Sequence, residues 1–241
     1  MPPLLAKADR QRLGRFELRL LAPAHTDSLM ALREEVLGRL PDPDLYVREE
    51  HERDFVAAHL AGRAGAQGET IGAFDGARLI GYAMLGLPAA HDAANLGRLL
   101  PQAAGRLGEV AHIASCMVLE SCRGHGLQRV LLGARLLLAQ AHGRSFCAGM
   151  VSLHNHASRR NLMREGLRIV HVGEVAGLRR QIMALRLGQP WAFATEQAQL
   201  VDSGDYARQC ALSAAGWCGV SAMEGQGQDM LVFARLSADD Q

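Results

Sequence analysis

The 241-residue chain lacks several of the signals that assign a sequence quickly. No charge of one sign dominates: the net charge is +1 and the pI about 7.8, and no run of Lys or Arg makes the clustered footprint of a nucleic-acid binder. Charge therefore names no partner, and nucleic acid is not expected. No apolar stretch reaches the ~20 residues that cross a bilayer; the run from Val130 to Ala141 is interrupted by Arg135. Met1 to Arg15 carries Lys7, Arg10, Arg12 and Arg15, with apolar residues too scattered for a signal-peptide core, and reads as a basic tail (residues 1–15). Cys116, Cys122, Cys147, Cys210 and Cys218 show neither CxxC spacing nor an even count, so no zinc site or disulfide framework is indicated and no metal is expected. These absences point to a reducing cytoplasm and away from a membrane.

What is present is a globular composition. At 49% hydrophobic and 21% charged residues, the chain can bury one sizeable core, or one core with a small appended unit. Phe16 to Leu21 alternates polar and apolar residues with the period of a half-buried strand. Thr26 or Asp27 can cap a helix reaching Leu40, with Leu29, Leu32, Val36 and Leu40 on one face, and Pro41 to Pro43 ends it. A second helix is expected over Glu49 to Ala61. Thr70 to Phe74 and Arg78 to Leu87 then read as a hairpin across Asp75-Gly76, a pair that tolerates the positive φ of a tight turn. Ala89 to Gly108 is Ala- and Gly-rich with weak periodicity and fits a helix or a loop. Val110 to Leu119 has the length of a buried strand, and Leu127 to Ala141 that of a long helix.

Further on, a strand is expected at Ala148 to Leu153, a short helix at Ala157 to Arg164 with Gly166 as its stop, and strands at Leu167 to Val175 and Gln181 to Leu187. Residues 188–241 add about one helix (Ser203 to Ala215) and one strand (Met230 to Leu236), as a C-terminal extension or small subdomain. No internal repeat is evident. Trp191, Phe193 and Trp217 imply that this tail packs on something apolar; a core and a homodimer interface leave the same trace.

The segment that carries chemistry lies between the Val110 strand and the Leu127 helix. Gly124 and Gly126 let successive backbone N–H groups turn inward without Cβ clashes, and the helix that follows puts its positive end behind them. Strand, glycine turn and helix is an arrangement that binds phosphate, and Arg123 adds a cation beside it.

Arg123-Gly-His-Gly-Leu-Gln resembles the Arg/Gln-x-x-Gly-x-Gly/Ala signature of the GCN5-related N-acetyltransferases (GNAT). Asn155-His-Ala-Ser-Arg-Arg-Asn-Leu-Met-Arg-Glu-Gly-Leu is similar to that family's Asn-x-x-Ala-x-x-x-Tyr-x-x-x-Gly-Phe segment, and Gly72 to Leu85 resembles its second and third strands. The resemblance covers about Phe16 to Leu187 (domain 16–187). It implies an α/β (α+β) GNAT fold, a mixed central sheet splayed at the acyl-CoA site with flanking helices. It implies acetyl-CoA, or another acyl-CoA, as co-substrate. By the same resemblance Met117 and Val118 contact pantetheine and thioester, Arg123, Gly124, His125, Gly126, Leu127 and Gln128 hold the pyrophosphate, and Asn155 and Ser158 line the far side. Two residues depart from the pattern: Gln128 stands where the family has Gly or Ala, and Leu162 where it has a tyrosine that protonates the departing thiolate.

The reaction the resemblance implies is attack of an amine on a thioester, with the amine of a small molecule as acceptor; a protein lysine or N-terminus is the alternative, and a CoA-binding sensor without chemistry is a third. An alkylammonium must lose a proton before attacking, so a base titrating near neutrality is wanted. His112, on the strand entering the motif, is the first candidate by residue type, and Glu109 the second as base or water-holder. A hydrogen-bonded core histidine and a solvated carboxylate are the competing explanations. Cys116 as nucleophile, Glu120 as a loop charge, His125 in the glycine turn contacting phosphate or solvent, and His154 and His156 at the cleft rim complete the set. The acid-rich segment Asp42 to Asp54 fits attraction of a cationic amine or an ordinary solvated helix face.

Overall fold

A computed structural model of the chain describes residues 13–40, 42, 45–46, 51–224 and 229–237. Most of the basic tail, and part of the acid-rich segment and of the expected Glu49 helix start, lie outside the described residues. The strands are β1 (Glu17–Leu20), β2 (Gly68–Asp75), β3 (Arg78–Gly86), β4 (Val110–Val118), β5 (Phe146–Ser152), β6 (Arg168–Val175), β7 (Leu178–Arg186), β8 (Phe193–Asp202), β9 (Trp217–Glu224) and β10 (Asp229–Leu236). The helices are α1 (Thr26–Leu37), α2 (Glu52–Leu60), α3 (Leu127–Ala141), α4 (His156–Arg164) and α5 (Tyr206–Ala214). The ten strands among the described residues form one mixed sheet in the order β1-β2-β3-β4-β5-β7-β6-β9-β10-β8. No helix among the described residues is long and apolar enough to cross a membrane.

The first half follows the sequence pattern. Asp75-Gly76 turns β2 into β3 with Gly76 at φ 60°. α1 buries Leu29, Leu32, Val36 and Leu37, and also Arg33. α3 buries an almost continuous stripe, Leu127, Val130, Leu131, Ala134, Leu138 and Ala139. α1 and α3 both pack on β3 without packing closely on each other, which puts them on opposite faces of the sheet. Residues 89–108 resolve the helix-or-loop ambiguity as short 3-10 turns, at Leu96–Leu99 and Pro101–Ala103, before a third at Leu107–Glu109 leads into β4.

The C-terminal extension departs from the expectation of one helix and one strand. It holds three strands around one helix, and β8–α5–β9–β10 repeats the order β5–α4–β6–β7. The two units correspond at an offset of fifty positions. Asn155 and Asp205 each accept from the amide three residues on and cap their helices. Gly166 and Gly216 each follow the helix with φ of 94° and 80°. Val151 and Val201, Leu162 and Leu212, and Ala184 and Ala234 match in type and are all buried. The strand order is palindromic about the β6–β9 contact, where Ile169 pairs with Gly219, its own counterpart. The chain therefore contains an internal repeat related by a pseudo-two-fold axis, correcting the reading that none is present.

A buried polar chain ties the units together. Arg159 Nη1 donates to Leu153 O at 3.0 Å, and its counterpart Gln209 donates through Nε2 to Ser203 O, the counterpart carbonyl, at 2.8 Å. Gln181 joins them: its Oε1 accepts from Arg159 at 3.3 Å and its Nε2 donates to Gln209 Oε1 at 2.6 Å. Arg159, Gln181 and Gln209 have no solvent exposure, so each bond satisfies a group whose isolation would cost about 1–3 kcal/mol.

Candidate active site

The centre of the sheet is forked. β4 pairs with β5, in parallel, only where Val110, Ala111 and His112 face Phe146, Cys147 and Ala148, yet β4 continues to Val118 and β5 to Ser152. Beyond the last close approach, at Gly149 against Ile113 O, the strands separate. Ala114 is exposed in the middle of a central strand, and Met150 of β5 is 39% exposed. Two facing strand edges with free backbone groups make a slot for an extended amide-bearing chain.

A bulge shapes the β4 side of the fork. Leu85 faces Ile113 but Ala83 faces Cys116, so β4 carries one residue more than β3 around Ala114 and Ser115. Arg135 of α3, 2% exposed, reaches through the sheet to hold it, donating through Nη1 to Ala114 O at 3.0 Å and Met84 O at 3.4 Å. Burial lowers the affinity of this guanidinium for its proton, offset by Cys116 and Cys147. Burial also pushes both thiols up, Cys147 to about 12, so neither is a thiolate nucleophile near neutrality.

Past β4 the chain makes a short turn at Glu120–Cys122 and then the glycine loop, with φ of 81° at Gly124 and 72° at Gly126. Arg123 Nε donates back to Val118 O at 3.3 Å. α3 starts at Leu127 with no side-chain cap, unlike α4 and α5, so its first amides and the positive end of its dipole open onto the loop. His125 turns the other way: its Nδ1 lies 3.0 Å from Arg123 O and its ring edge packs on Phe16. Gln128 points sideways to α4, accepting from Asn161 Nδ2 at 2.6 Å and donating to Ser158 Oγ at 3.4 Å, which leaves the helix end clear. Asn155 spends its side-chain oxygen on the Ser158 amide. Leu162 is 6% exposed and packs in the core.

The two candidate bases stand together at the closed end of the fork. Glu109 accepts from Arg106 Nη2 and Ser145 Oγ, both at 2.6 Å, and these partners pull its carboxyl down to about 2. His112 belongs to the last β4–β5 pair; its Nε2 accepts from the Leu96 amide at 3.0 Å, and burial pushes it down to about 4. A histidine whose lone pair caps a partly buried amide serves the architecture first.

A cluster not foreseen in the sequence lies at the bulge on the α1 side. Arg33 Nη1 donates to Tyr82 Oη at 2.5 Å and to Ser115 Oγ at 3.4 Å, while Nη2 meets Tyr46 and Glu52. Tyr82 and Ser115 hydroxyls are 2.7 Å apart. Burial opposes charge on Arg33, but Tyr82, Tyr46 and the Glu52 carboxylate outweigh it and hold the guanidinium above its usual range. Burial raises both phenols. The one signal in sequence was Arg33 itself, a cation spaced like Leu29 and Val36 on the apolar stripe of α1.

No protein-family model and no curated protein matches the chain. Solved structures do. Arabidopsis thaliana NAA60, in complex with acetyl-CoA, superposes with a TM-score of 0.55 at 15% identity, over 72% of this chain and 99% of that one. The PaiA N-acetyltransferase of Thermoplasma acidophilum, in complex with coenzyme A, gives 0.51 at 16% identity, over 71% and 98%. A GNAT-family acetyltransferase from Streptococcus pneumoniae gives 0.51 at 16%, over 72% and 99%. Each neighbour is matched along nearly its whole length, whereas more than a quarter of this chain has no counterpart in them. The forked mixed sheet, the glycine turn and these likenesses agree: the chain has the GNAT fold, and within it β8–α5–β9–β10 repeats the β5–α4–β6–β7 unit.

Proposed function

We propose that the protein is an acyl-CoA-dependent N-acyltransferase that moves an acetyl group from acetyl-CoA to the amine of a small molecule. The observation that carries this reading is the fork, with unpaired β4 and β5 edges that end at an uncapped helix N-terminus behind Gly124 and Gly126. Those edges suit the amides of a pantetheine arm, and the Gly124–Gln128 backbone with Arg123 suits a pyrophosphate. Met117 and Val118 supply the β4 edge nearest the loop. Ser158 bears on the loop through Gln128, and Asn155 holds the α4 end in place.

The chemistry rests on positioning. The amine nitrogen attacks the thioester carbon, the carbon–sulfur bond breaks, and the sulfur leaves as thiolate while the nitrogen gives up a proton. The bulge at Ala114 and Ser115, braced by Arg135, fixes the strand where the thioester would lie. Glu52, Tyr46 and the Tyr82–Ser115 hydroxyl pair form a polar wall on the α1 side, suited to meet an amine. Leu162 supplies no proton, so the thiolate is protonated by solvent or by the proton the amine releases. Orienting and desolvating the amine is worth several kcal/mol of barrier without a dedicated acid. Glu109, ionised and paired, and His112, occupied by Leu96, serve this reading as anchors of the closed end of the fork.

Calorimetric titration with acetyl-CoA and CoA tests it. Binding to the wild type that is lost in an Arg123→Ala, Gly126→Glu variant is expected, followed by thiol release when a panel of amines is added. A folded wild type that binds neither compound sinks the proposal.

A further inference from the structure

A cavity opens between the two repeats. About 580 Å3 in volume, it lies where the two units meet, and its walls come in counterpart pairs: Leu153 with Ser203, His156 with Tyr206, Arg179 with Asp229. The pseudo-two-fold axis therefore runs through it, and the buried Arg159–Gln181–Gln209 chain, bonded to the Leu153 and Ser203 carbonyls, lies beneath. The copies differ in the side chains they turn to the cavity. The first unit presents Arg179 and the buried Arg180, and the second presents Asp229 and the Tyr206 ring.

The acids of the cavity are already engaged. Asp229 lies 2.7 Å from His156 Nδ1 and 3.8 Å from Arg160, and Asp202 Oδ1 accepts from the Gly204 amide at 2.7 Å. Two arginines, Arg179 and Arg180, and two carboxylates, Asp202 and Asp229, line the cavity, and Arg159 and Arg160 add positive charge behind the wall, at His156 and Asp229. Arg179 lies over the Tyr206 ring, 4.8 Å from its centroid, a flat cationic platform beside Leu153 and Leu178. The volume suits a small metabolite.

We infer that this cavity between the two repeats is a second ligand site, for a small organic anion with an aromatic or apolar body. The head group meets the arginines and the body lies on Tyr206 and the leucines. Two sources share this chemistry, phosphate esters and aromatic carboxylates. The site stands apart from the fork: none of its lining residues belongs to β4 or to the glycine loop, and Asp202, Ser203, Gly204, Tyr206 and Asp229 come from the second repeat.

The full chain is titrated with the aromatic anion 8-anilinonaphthalene-1-sulfonate, read by fluorescence, in the presence of excess CoA so that the fork does not compete. The expected result is one site that persists in CoA, weakens at least tenfold in Arg179→Ser and in Tyr206→Ala, and stays within twofold of wild type in Tyr206→Phe and in the remote control Arg235→Ser. Arg179 and Tyr206 sit at the surface, and thermal melts verify that the variants fold. Competition then separates the sources: inorganic phosphate displacing the probe assigns the site to phosphate esters, and benzoate alone displacing it assigns it to carboxylates. Displacement by neither overturns the anion assignment. Binding abolished by CoA, or undiminished in both variants, overturns the site itself. Neither result depends on whether the fork transfers an acyl group.

Discussion

Replacing His112 with Gln separates a structural histidine from a catalytic one. The imidazole is pushed from an ordinary value near 6.5 down to about 4 by burial, the nearby Asp92 opposing and Arg144 reinforcing. The folded protein thus holds the neutral ring, while the unfolded chain protonates it below about pH 6.5. Between pH 6.5 and 4 the unfolded state binds more protons, so stability is fully present above pH 6.5 and falls as the pH drops towards 4. The whole fall corresponds to about 3 kcal/mol, and about 2 kcal/mol of it has been lost by pH 5. Gln cannot titrate, and its side-chain oxygen can still accept from the Leu96 amide, at a cost of about 1 kcal/mol for a poorer bond.

Urea unfolding at pH 7.5 and pH 5.0 reads the difference. The wild type is expected to lose about 2 kcal/mol more than His112→Gln over this interval. His59 and His171 are also lowered by burial and add to the acid sensitivity of both proteins, so they cancel in the comparison. Acyl transfer by the variant should remain within tenfold of wild type, with an unaltered pH profile. Equal acid sensitivity of the two proteins, together with a hundredfold or greater loss of kcat/KM in the variant, would refute the structural assignment and restore His112 as the base.

Two further outcomes test the fork and the repeat. A Cβ at Gly149 would lie 2.9 Å from Ile113 O, so Gly149→Ala must move β5 from β4 at the base of the fork; a destabilisation of about 1–3 kcal/mol and weaker acetyl-CoA binding are expected, from chemical denaturation and calorimetry. Gln209→Leu removes the partner of the buried Gln181 amide and leaves the Ser203 carbonyl unpaired, and should cost about 1–3 kcal/mol or more in a urea midpoint without altering CoA affinity. A neutral substitution there would mean that the two units do not depend on their shared polar chain.

How far the sequence could be read follows from where its determinants lie. α3 was legible end to end because a glycine turn, a 3.6-residue apolar period and a following break all sit within one short stretch. The β2–β3 hairpin was legible for the same local reason. The Arg33 cluster was not, since Tyr82 and Ser115 are 49 and 82 positions from Arg33 and only the fold brings them together. His112 has the residue type and the strand position of a base; its environment, the Leu96 amide and the burial, is a tertiary fact. β8 escaped because it is an edge strand, polar and exposed along most of its length.

The repeat escaped for a different physical reason. What its copies share is a capping Asn or Asp, a glycine past the helix and a few buried apolar positions, Val151 with Val201, Leu162 with Leu212 and Ala184 with Ala234, features that many β-α-β units carry. What they do not share is set by the axis between them. At the β6–β9 contact a Cβ on Gly219 would lie 2.7 Å from Ile169 Cδ1, so a large residue on one side requires none on the other. A dyad between identical chains would have to set Ile on Ile or Gly on Gly there. Two units within one chain can pair Ile with Gly, and likewise Arg159 with Gln209 beneath the cavity and Arg179 with Asp229 in its wall. The asymmetry that lets the halves fit along the axis is therefore part of the asymmetry that conceals them in the sequence.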